Sequence, residues 1–206
     1  MANTFAPFGF RYFNYQAGSP TVGLTKALLQ SSNATALYKG DLVQDSTTAG
    51  GYVTALTTGL GAVPTRGVFD GCSYYDVGSN CVIQGYFPGS LSTAVGDVTC
   101  YIVDDPNTWW IAQASTNAVV GSSIVGFNIG VITGSTGNTL TGQGRASIAS
   151  SQTVIGATNA LPFRIMDVYS NWAPPGTNGT DNTVAGAILV VQPNNWSNKN
   201  LTARTS

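Results

Sequence analysis

Short runs of β-branched and aromatic residues alternate with clusters of glycine, asparagine, aspartate and proline along almost the whole chain. This punctuation is typical of antiparallel strands separated by tight turns. The candidate strands are residues 22–30, 34–38, 41–44, 52–57, 67–75, 81–87, 98–104, 109–114, 124–132, 146–154, 163–169 and 185–191. No window of about 11 residues or more shows apolar residues at the 3.6-residue period of a helix. We therefore expect at most one or two short helices, one of them near residues 115–120.

This spacing of strands predicts an all-β fold, either a jelly-roll-like sandwich or a barrel. A chain of 206 residues is long enough to build one β domain with its own core, and no run of prolines or charges divides it. We therefore predict a single β domain over residues 21–206, preceded by an extended N-terminal arm over residues 1–20. The Gly- and Thr-rich residues 133–144 predict a mobile loop tip.

Aromatic residues crowd into the start of the chain without any acidic residue. Phe8, Phe10 and Tyr12 share one face at a period of two, which suits a first strand whose aromatic side chains enter the core. It also suits an arm that docks on a partner, because aromatic residues and arginine dominate interface energetics. We adopt the docking interpretation, since termini are otherwise the least ordered part of a domain. The predicted partner-binding residues are Phe5, Phe8, Phe10, Arg11, Tyr12 and Phe13.

Charged residues are scarce, and this scarcity favours association between copies of the chain. Only 8 basic and 9 acidic residues occur, every acid is an aspartate, and the net charge is -1. A typical domain is about a quarter charged, and a net charge near zero provides little repulsion between copies. The composition therefore predicts a homo-oligomer and leaves a dimer and a trimer equally open.

The chain has no histidine, which removes the usual general base and the commonest transition-metal ligand. The adjacent Asp104 and Asp105 precede Pro106, and this arrangement predicts a turn, not a pair of catalytic carboxylates. Asp181 and Asn182 could supply oxygen ligands to calcium, although Asx turns explain them more simply. We therefore predict that the protein is not an enzyme and has no catalytic residues, no cofactor and no metal.

Three cysteines occur without a Cys-x-x-Cys spacing, and we predict that Cys72, Cys81 and Cys100 are buried free thiols. Basic residues are scattered singly, which argues against a nucleic-acid partner. The most apolar stretch, residues 118–132, is interrupted by glycine and polar residues, so we expect no membrane partner. The first fifteen residues do not have the pattern of a secretory signal, which predicts synthesis in the cytoplasm.

Six segments carry a resemblance to a known class of proteins. They are residues 2–10 (ANTFAPFGF), 38–43 (YKGDLV), 67–74 (GVFDGCSY), 105–113 (DPNTWWIAQ), 163–167 (FRIMD) and 187–196 (AILVVQPNNW). Together these segments resemble structural proteins of tailed double-stranded DNA bacteriophages, specifically the capsid cement or decoration proteins of short-tailed phages.

The resemblance implies a β-rich virion protein that binds the outside of an icosahedral shell as dimers or trimers. Its partners would be the major capsid protein and further copies of itself, and it would clamp neighbouring capsid proteins against the pressure of packaged DNA. Its location would be the outer capsid surface, after synthesis in the host cytoplasm. The alternative is a receptor- or carbohydrate-binding β module of a phage tail fibre, which would use tryptophan and aspartate residues at loop tips.

Overall fold

Strands dominate the structure. The computed structural model describes residues 6–15, 23–59, 63–78, 80–92, 94–115, 124–133, 136–149, 155–157, 159–169 and 187–200. The strands in these ranges are β1 (Arg11–Tyr15), β2 (Thr25–Leu29), β3 (Leu37–Tyr38), β4 (Leu42–Asp45), β5 (Val53–Ala55), β6 (Thr65–Tyr75), β7 (Cys81–Gln84), β8 (Tyr86–Phe87), β9 (Val98–Val103), β10 (Thr108–Gln113), β11 (Asn128–Ile129), β12 (Val131–Ile132), β13 (Gly137–Asn138), β14 (Gln143–Gly144), β15 (Ser147–Ile148), β16 (Ile155–Gly156), β17 (Phe163–Val168) and β18 (Ile188–Pro193). One short helix, α1 (Ser197–Asn200), follows them. The all-β prediction is confirmed, and the jelly-roll-like order stays a prediction.

Two antiparallel sheets form the body of the protein. Sheet A has the strand order β1-β10-β18-β17-β11-β16. Sheet B has the order β2-β9-β6-β4-β5, and β7 pairs with the C-terminal half of β6. A parallel bridge between Leu28 of β2 and Tyr52, just before β5, brings the two ends of sheet B together. Sheet B therefore curls into a nearly closed barrel around its own apolar core.

Sheet B separates two hydrophobic cores. On β4, Leu42 faces sheet A whereas Val43 faces the barrel interior, and on β6 the same alternation places Val68 and Phe69 on opposite sides. Successive side chains of a strand point to opposite faces, so neighbouring residues are both apolar where both faces are covered. The adjacent pairs Leu42–Val43 of β4 and Val68–Phe69 of β6 are of this kind, although polar and charged residues flank them in both strands.

Each of the twelve candidate segments overlaps an observed strand. The elements outside those segments are β1, the hairpin of β13 and β14, the strand β16 and the helix α1. Residues 137–144, predicted as part of a mobile tip, are anchored instead: Lys39 donates its N–H to Gly142 O over 2.8 Å, and Gly144 donates to Lys39 O over 2.9 Å. Apart from Ser115, the predicted helix near residues 115–120 lies outside the described residues.

The cysteine prediction is confirmed in part. Cys72, Cys81 and Cys100 are all free thiols, and Cys72 and Cys100 are buried directly opposite each other on β6 and β9. Cys81 is exposed, because it lies on β7 at the open edge of sheet B. Within the described ranges, no helix is long and apolar enough to cross a membrane.

Residues 11–15 form the first strand of sheet A. Arg11 pairs with Ile111 of β10, and Tyr12 pairs with Trp110. For these residues the first-strand interpretation describes the structure and the extended arm does not, because hydrogen bonds to β10 hold them in the sheet. The predicted boundary at residue 20 lies outside the described residues.

Candidate partner-binding site

The strand β1 lies at one edge of sheet A. It pairs with β10 on one side, and no other described strand pairs with its second side. Its exposed residues include Arg11, Tyr12 and Phe13, and the two aromatic side chains are 36% and 40% exposed. Aromatic residues favour strands because they pack well on a pleated surface. An uncovered edge with exposed aromatic side chains is a surface on which another chain can pair.

The six predicted partner-binding residues do not all face the same way. Phe8 is half-buried and carries the guanidinium of Arg11 over its ring, 5.1 Å from the centroid. Tyr12 and Phe13 are exposed beside them, whereas Phe5 lies outside the described residues. Phe10 corrects the prediction, because it is buried and stacks on Phe163 with 4.8 Å between ring centroids. Phe10 is therefore a core residue, not an exposed anchor.

A cavity of about 420 Å³ opens beside β1, between the two sheets. Most of its wall is apolar and comes from β1, β10, β6 and β9, which are far apart in the sequence. The lining residues are Phe10, Arg11, Tyr12, Leu24, Lys39, Gly40, Val68, Phe69, Asp70, Val103, Trp110 and Gln143. A volume of this size is in the range of sites that hold small ligands or large side chains.

Polar groups mark the cavity at its rim and in its wall. Arg11 donates to Gln143 Oε1 over 2.9 Å, and Lys39 Nζ lies 2.7 Å from Asp70 Oδ1 in an ion pair. Trp110 is almost fully buried, and its indole Nε1 has no acceptor among the described residues. A buried donor without an acceptor costs free energy, and this nitrogen is itself inaccessible to solvent.

A tight turn at residues 38–41 shapes one wall of the cavity. Gly40 has φ of +92°, a conformation that residues with a Cβ atom rarely adopt. Its carbonyl accepts a hydrogen bond from Phe10 N over 2.9 Å, and its N–H donates to Phe69 O over 2.8 Å. The turn therefore ties the segment before β1 to the wall of sheet B.

Asp41 ends this turn as a buried carboxyl group, 2% exposed. One of its oxygens accepts the N–H of Tyr38 over 2.9 Å. Burial raises the pKa of Asp41 from 3.8 to about 7, and the backbone N–H groups of Tyr38 and Ala146 oppose part of that rise. The carboxyl is therefore largely protonated in the folded protein at mildly acid pH.

Replacing Asp41 with asparagine is expected to flatten the pH dependence of stability. Folding takes up a proton between pH 3.8 and about 7, so this contribution is fully present below pH 3.8 and is lost as the pH rises through about 7. As the pH rises through that window, the free energy of unfolding of the natural chain should fall by up to about 1.4 kcal/mol per pH unit. Urea titrations from pH 4 to pH 8 measure the difference. Exposed Asp97, changed to asparagine, is the control, and an unchanged slope in the Asp41 variant would contradict the assignment.

Asp104 is not part of a turn, although Asp105 is. Asp105 Oδ1 accepts Asn107 N over 2.8 Å as a turn requires. Asp104 is buried, and its carboxylate accepts Thr25 Oγ1 and Asn198 Nδ2, each over 2.7 Å. Arg66 approaches the same carboxylate at 3.3 Å. This network holds α1 against sheet B, so the role that the geometry supports for Asp104 is structural.

No group of three cysteine or aspartate side chains lies close enough to hold a metal ion among the residues that the structure describes. The weaker calcium alternative, Asp181 with Asn182, falls outside them. Burial raises the pKa of Cys72 to about 12, so this thiol is not a nucleophile near neutral pH.

Sequence reasoning missed most of the cavity wall. Leu24, Val68 and Val103 carry no signal that separates them from other apolar strand residues. Trp110 did carry one, because adjacent tryptophans in a strand must face opposite sides, and the structure buries Trp110 and leaves Trp109 half-buried.

Comparison with known protein families, curated proteins and solved structures finds no match to this chain.

Proposed function

We propose that this protein is a structural subunit of a virion shell: a cement or decoration protein on the outer surface of a bacteriophage capsid. It is made in the host cytoplasm, binds the major capsid protein and further copies of itself, and clamps neighbouring capsid proteins. The observation that carries the proposal is that each sheet has a strand, β1 in sheet A and β7 in sheet B, with exposed apolar side chains and one side that no described strand pairs with. Tyr12 and Phe13 lie on β1, and Ile83, 75% exposed, lies on the uncharged β7.

Monomeric β proteins protect such edges with lysine, proline or bulges, because an uncovered edge pairs with other chains. The strand β7 has none of these devices in its sequence CVIQ. Its neighbour Tyr75 and the loop residues Val77 and Val95 add further exposed apolar surface at the same end of sheet B. Surface of this kind marks protein–protein contact, and it supports a protein that works inside an assembly.

The proposal that this assembly is a virion comes from the segments that resemble cement proteins. Four of these segments contain most or all of a strand of the two sheets. They are residues 67–74 (β6), 105–113 (β10), 163–167 (β17) and 187–196 (β18). A fifth, residues 38–43, contains the turn that joins the start of the chain to sheet B. The resemblance therefore concerns the residues that define this fold.

Particles of the virus that encodes this chain should carry it in many copies, as a symmetric shell component requires. Quantitative densitometry of purified particles measures the copy number, and a heat ramp measures DNA release. Particles without the protein are expected to release DNA at a lower temperature, because the clamp adds contacts that must break before the shell opens.

Point variants separate docking from folding in the same assay. Replacing Tyr12 and Phe13 with serine should abolish rebinding to depleted particles, whereas serine at the similarly exposed Val125 and Phe127, just before β11, should leave rebinding intact. A copy number of only a few per particle would support the tail-fibre alternative instead. Equal rupture temperatures with and without the protein would contradict the cement function.

A further inference from the structure

We propose that Cys72 and Cys100 are a site of oxidative cross-linking: a small-molecule disulfide converts the two thiols into one disulfide bond that joins β6 to β9. Both thiols are free in the structure, and both side chains are fully buried. The cross-link is a property of sheet B alone, so it does not depend on what the protein binds.

The register of β6 and β9 places the two cysteines side by side. Cys72 pairs directly with Cys100, and the ladder is regular around this pair, from Gly71 to Ser73. Directly opposite residues share one face of a sheet. Both side chains belong to the core inside the barrel, so this shared face points inward. The two sulfur atoms therefore lie on the same side of adjacent strands.

The hydrogen-bond pattern of β6 gives this pair the closer of the two antiparallel spacings. At the end of the hairpin of β6 and β7, Asp76 donates its N–H to Asn80 O over 3.1 Å. Hydrogen-bonded and non-hydrogen-bonded pairs alternate along an antiparallel ladder, and β6 and β7 pair without a register shift. The main-chain groups of Cys72 therefore point towards Gln84 of β7. Since they point away from β9, Cys72 and Cys100 form a non-hydrogen-bonded pair.

The spacing of such a pair suits a disulfide. Its Cα atoms are about 4.5 Å apart, and its side chains are closer than those of a hydrogen-bonded pair. A disulfide joins Cα atoms that are roughly 4.4–6.8 Å apart. The pKa of Cys100 is consistent with close sulfur atoms, because burial is the main cause of its rise and Cys72 adds to it. The bond can therefore form without a large movement of either strand.

Cys81 does not compete for either thiol. It pairs with Tyr75, which is an odd number of positions along β6 from Cys72. Successive side chains of a strand point to opposite faces, so Cys81 lies on the outer face, where it is exposed. Among the three cysteines, the geometry therefore selects one pair and leaves one free thiol.

The oxidation balances as two thiol–disulfide exchanges with glutathione disulfide. The thiolate of Cys72 attacks one sulfur of the oxidant, forms a mixed disulfide and expels one glutathione thiolate. The thiolate of Cys100 then attacks the Cys72 sulfur and expels the second glutathione thiolate. The two cysteine protons pass through water to the two departing thiolates. Both cysteine sulfurs are oxidised, and the two glutathione sulfurs are reduced to thiols.

Burial determines when this bond can form. It raises the pKa of Cys72 to about 12 and raises that of Cys100 as well, so little thiolate exists near neutral pH. The neighbour of Cys72 on one side is β7, an edge strand of four residues, and such strands open more readily than the rest of a sheet. Oxidation is therefore slow in the folded protein and fast while the chain folds. A virion protein made in the host cytoplasm, as proposed above, would stay reduced there and gain the bond after release.

The test uses the full chain with Cys81→Ser, which removes the exposed thiol that would otherwise link two chains. The chain is refolded from urea with reduced and oxidised glutathione, and in parallel with a reducing agent. The oxidised product should have lost two hydrogen atoms by intact mass and should yield a peptide that links Cys72 to Cys100. Its thermal midpoint should lie about 5–15 °C above that of the reduced protein, because the bond closes a loop of about 30 residues in the unfolded chain.

Two single variants, Cys72→Ala and Cys100→Ala, control for other effects of the oxidant. Each lacks one partner, so each should unfold at the same temperature in the oxidising and the reducing buffer. The comparison of the oxidised and reduced Cys81→Ser protein decides the question even where an alanine variant does not fold. Folded and reduced Cys81→Ser protein, treated with glutathione disulfide, should form the bond at least about tenfold more slowly than the refolding chain.

Several outcomes would overturn the inference. They are an unchanged mass after oxidative refolding, a link from Cys81 to either buried cysteine as the main product of the natural chain, and an oxidised protein that unfolds at or below the temperature of the reduced one. Bond formation as fast in the folded protein as during refolding would contradict the closed state of the two thiols. None of these results bears on the proposed function, which the copy number and the heat ramp of particles test separately.

Discussion

Replacing Trp196 with alanine is expected to lower the free energy of unfolding by about 3–5 kcal/mol. Trp196 is fully buried and packs edge-on against Phe163, with 5.7 Å between ring centroids. Phe163 in turn stacks on Phe10, so the indole supports the aromatic cluster that holds the start of the chain to the core. Removing it leaves a cavity that the surrounding strands cannot fill without moving.

Chemical denaturation at constant pH measures the loss for Trp196→Ala. The matched control is Trp109→Ala, because Trp109 is half-buried and already exposes part of its ring to water. We expect less than half of the effect at Trp109. Equal losses at the two sites would show that Trp196 does not occupy the core in the way described.

Gly40→Ala is expected to cost about 2–5 kcal/mol of stability. Part of this is the left-handed backbone at φ of +92°, which costs an L-residue about 1–2 kcal/mol. The rest of the loss comes from steric overlap, because a Cβ at Gly40 would lie 2.9 Å from Phe10 N and 3.0 Å from Phe10 O. Backbone atoms cannot rotate away, and overpacking of this kind typically costs about 1–3 kcal/mol.

Gly51→Ala separates these two contributions. Gly51 has φ of +84°, close to that of Gly40, but a Cβ there would meet no atom within 4 Å. The difference between the two variants in thermal or urea unfolding therefore measures the contact with the backbone of Gly9 and Phe10. If both variants lose the same stability, the segment before β1 does not pack on the turn at residues 38–41.

The interpretation of the first residues shows where sequence reasoning reached its limit. Aromatic residues at every second position fit both a docking arm and a first strand, because the period of two describes only the local backbone. The deciding contacts are the pairing of Tyr12 with Trp110 and the stacking of Phe10 on Phe163. Both partners lie about a hundred residues or more along the chain, and nothing in residues 1–20 encodes their positions.

The two neighbouring aspartates make the same point with charged groups. A turn was predicted for Asp104 and Asp105 together, because the proline and asparagine that follow are turn residues. Asp105 does cap that turn, whereas Asp104 is buried against Thr25, Arg66 and Asn198. The local turn signal was correct for Asp105, whereas packing against residues distant in the sequence determined the position of Asp104.

By itself the sequence determined the all-β class and the positions of the main strands, because alternating apolar residues and turn residues act over a few positions. It also determined the scarcity of charge and the lack of histidine. Only the tertiary structure decided that sheet B would separate two cores, that Phe10 would be buried, and that a cavity would remain beside β1. These features depend on which distant strands pair and in which register, and the free energy of such pairing comes from surfaces that exist only after the chain has folded.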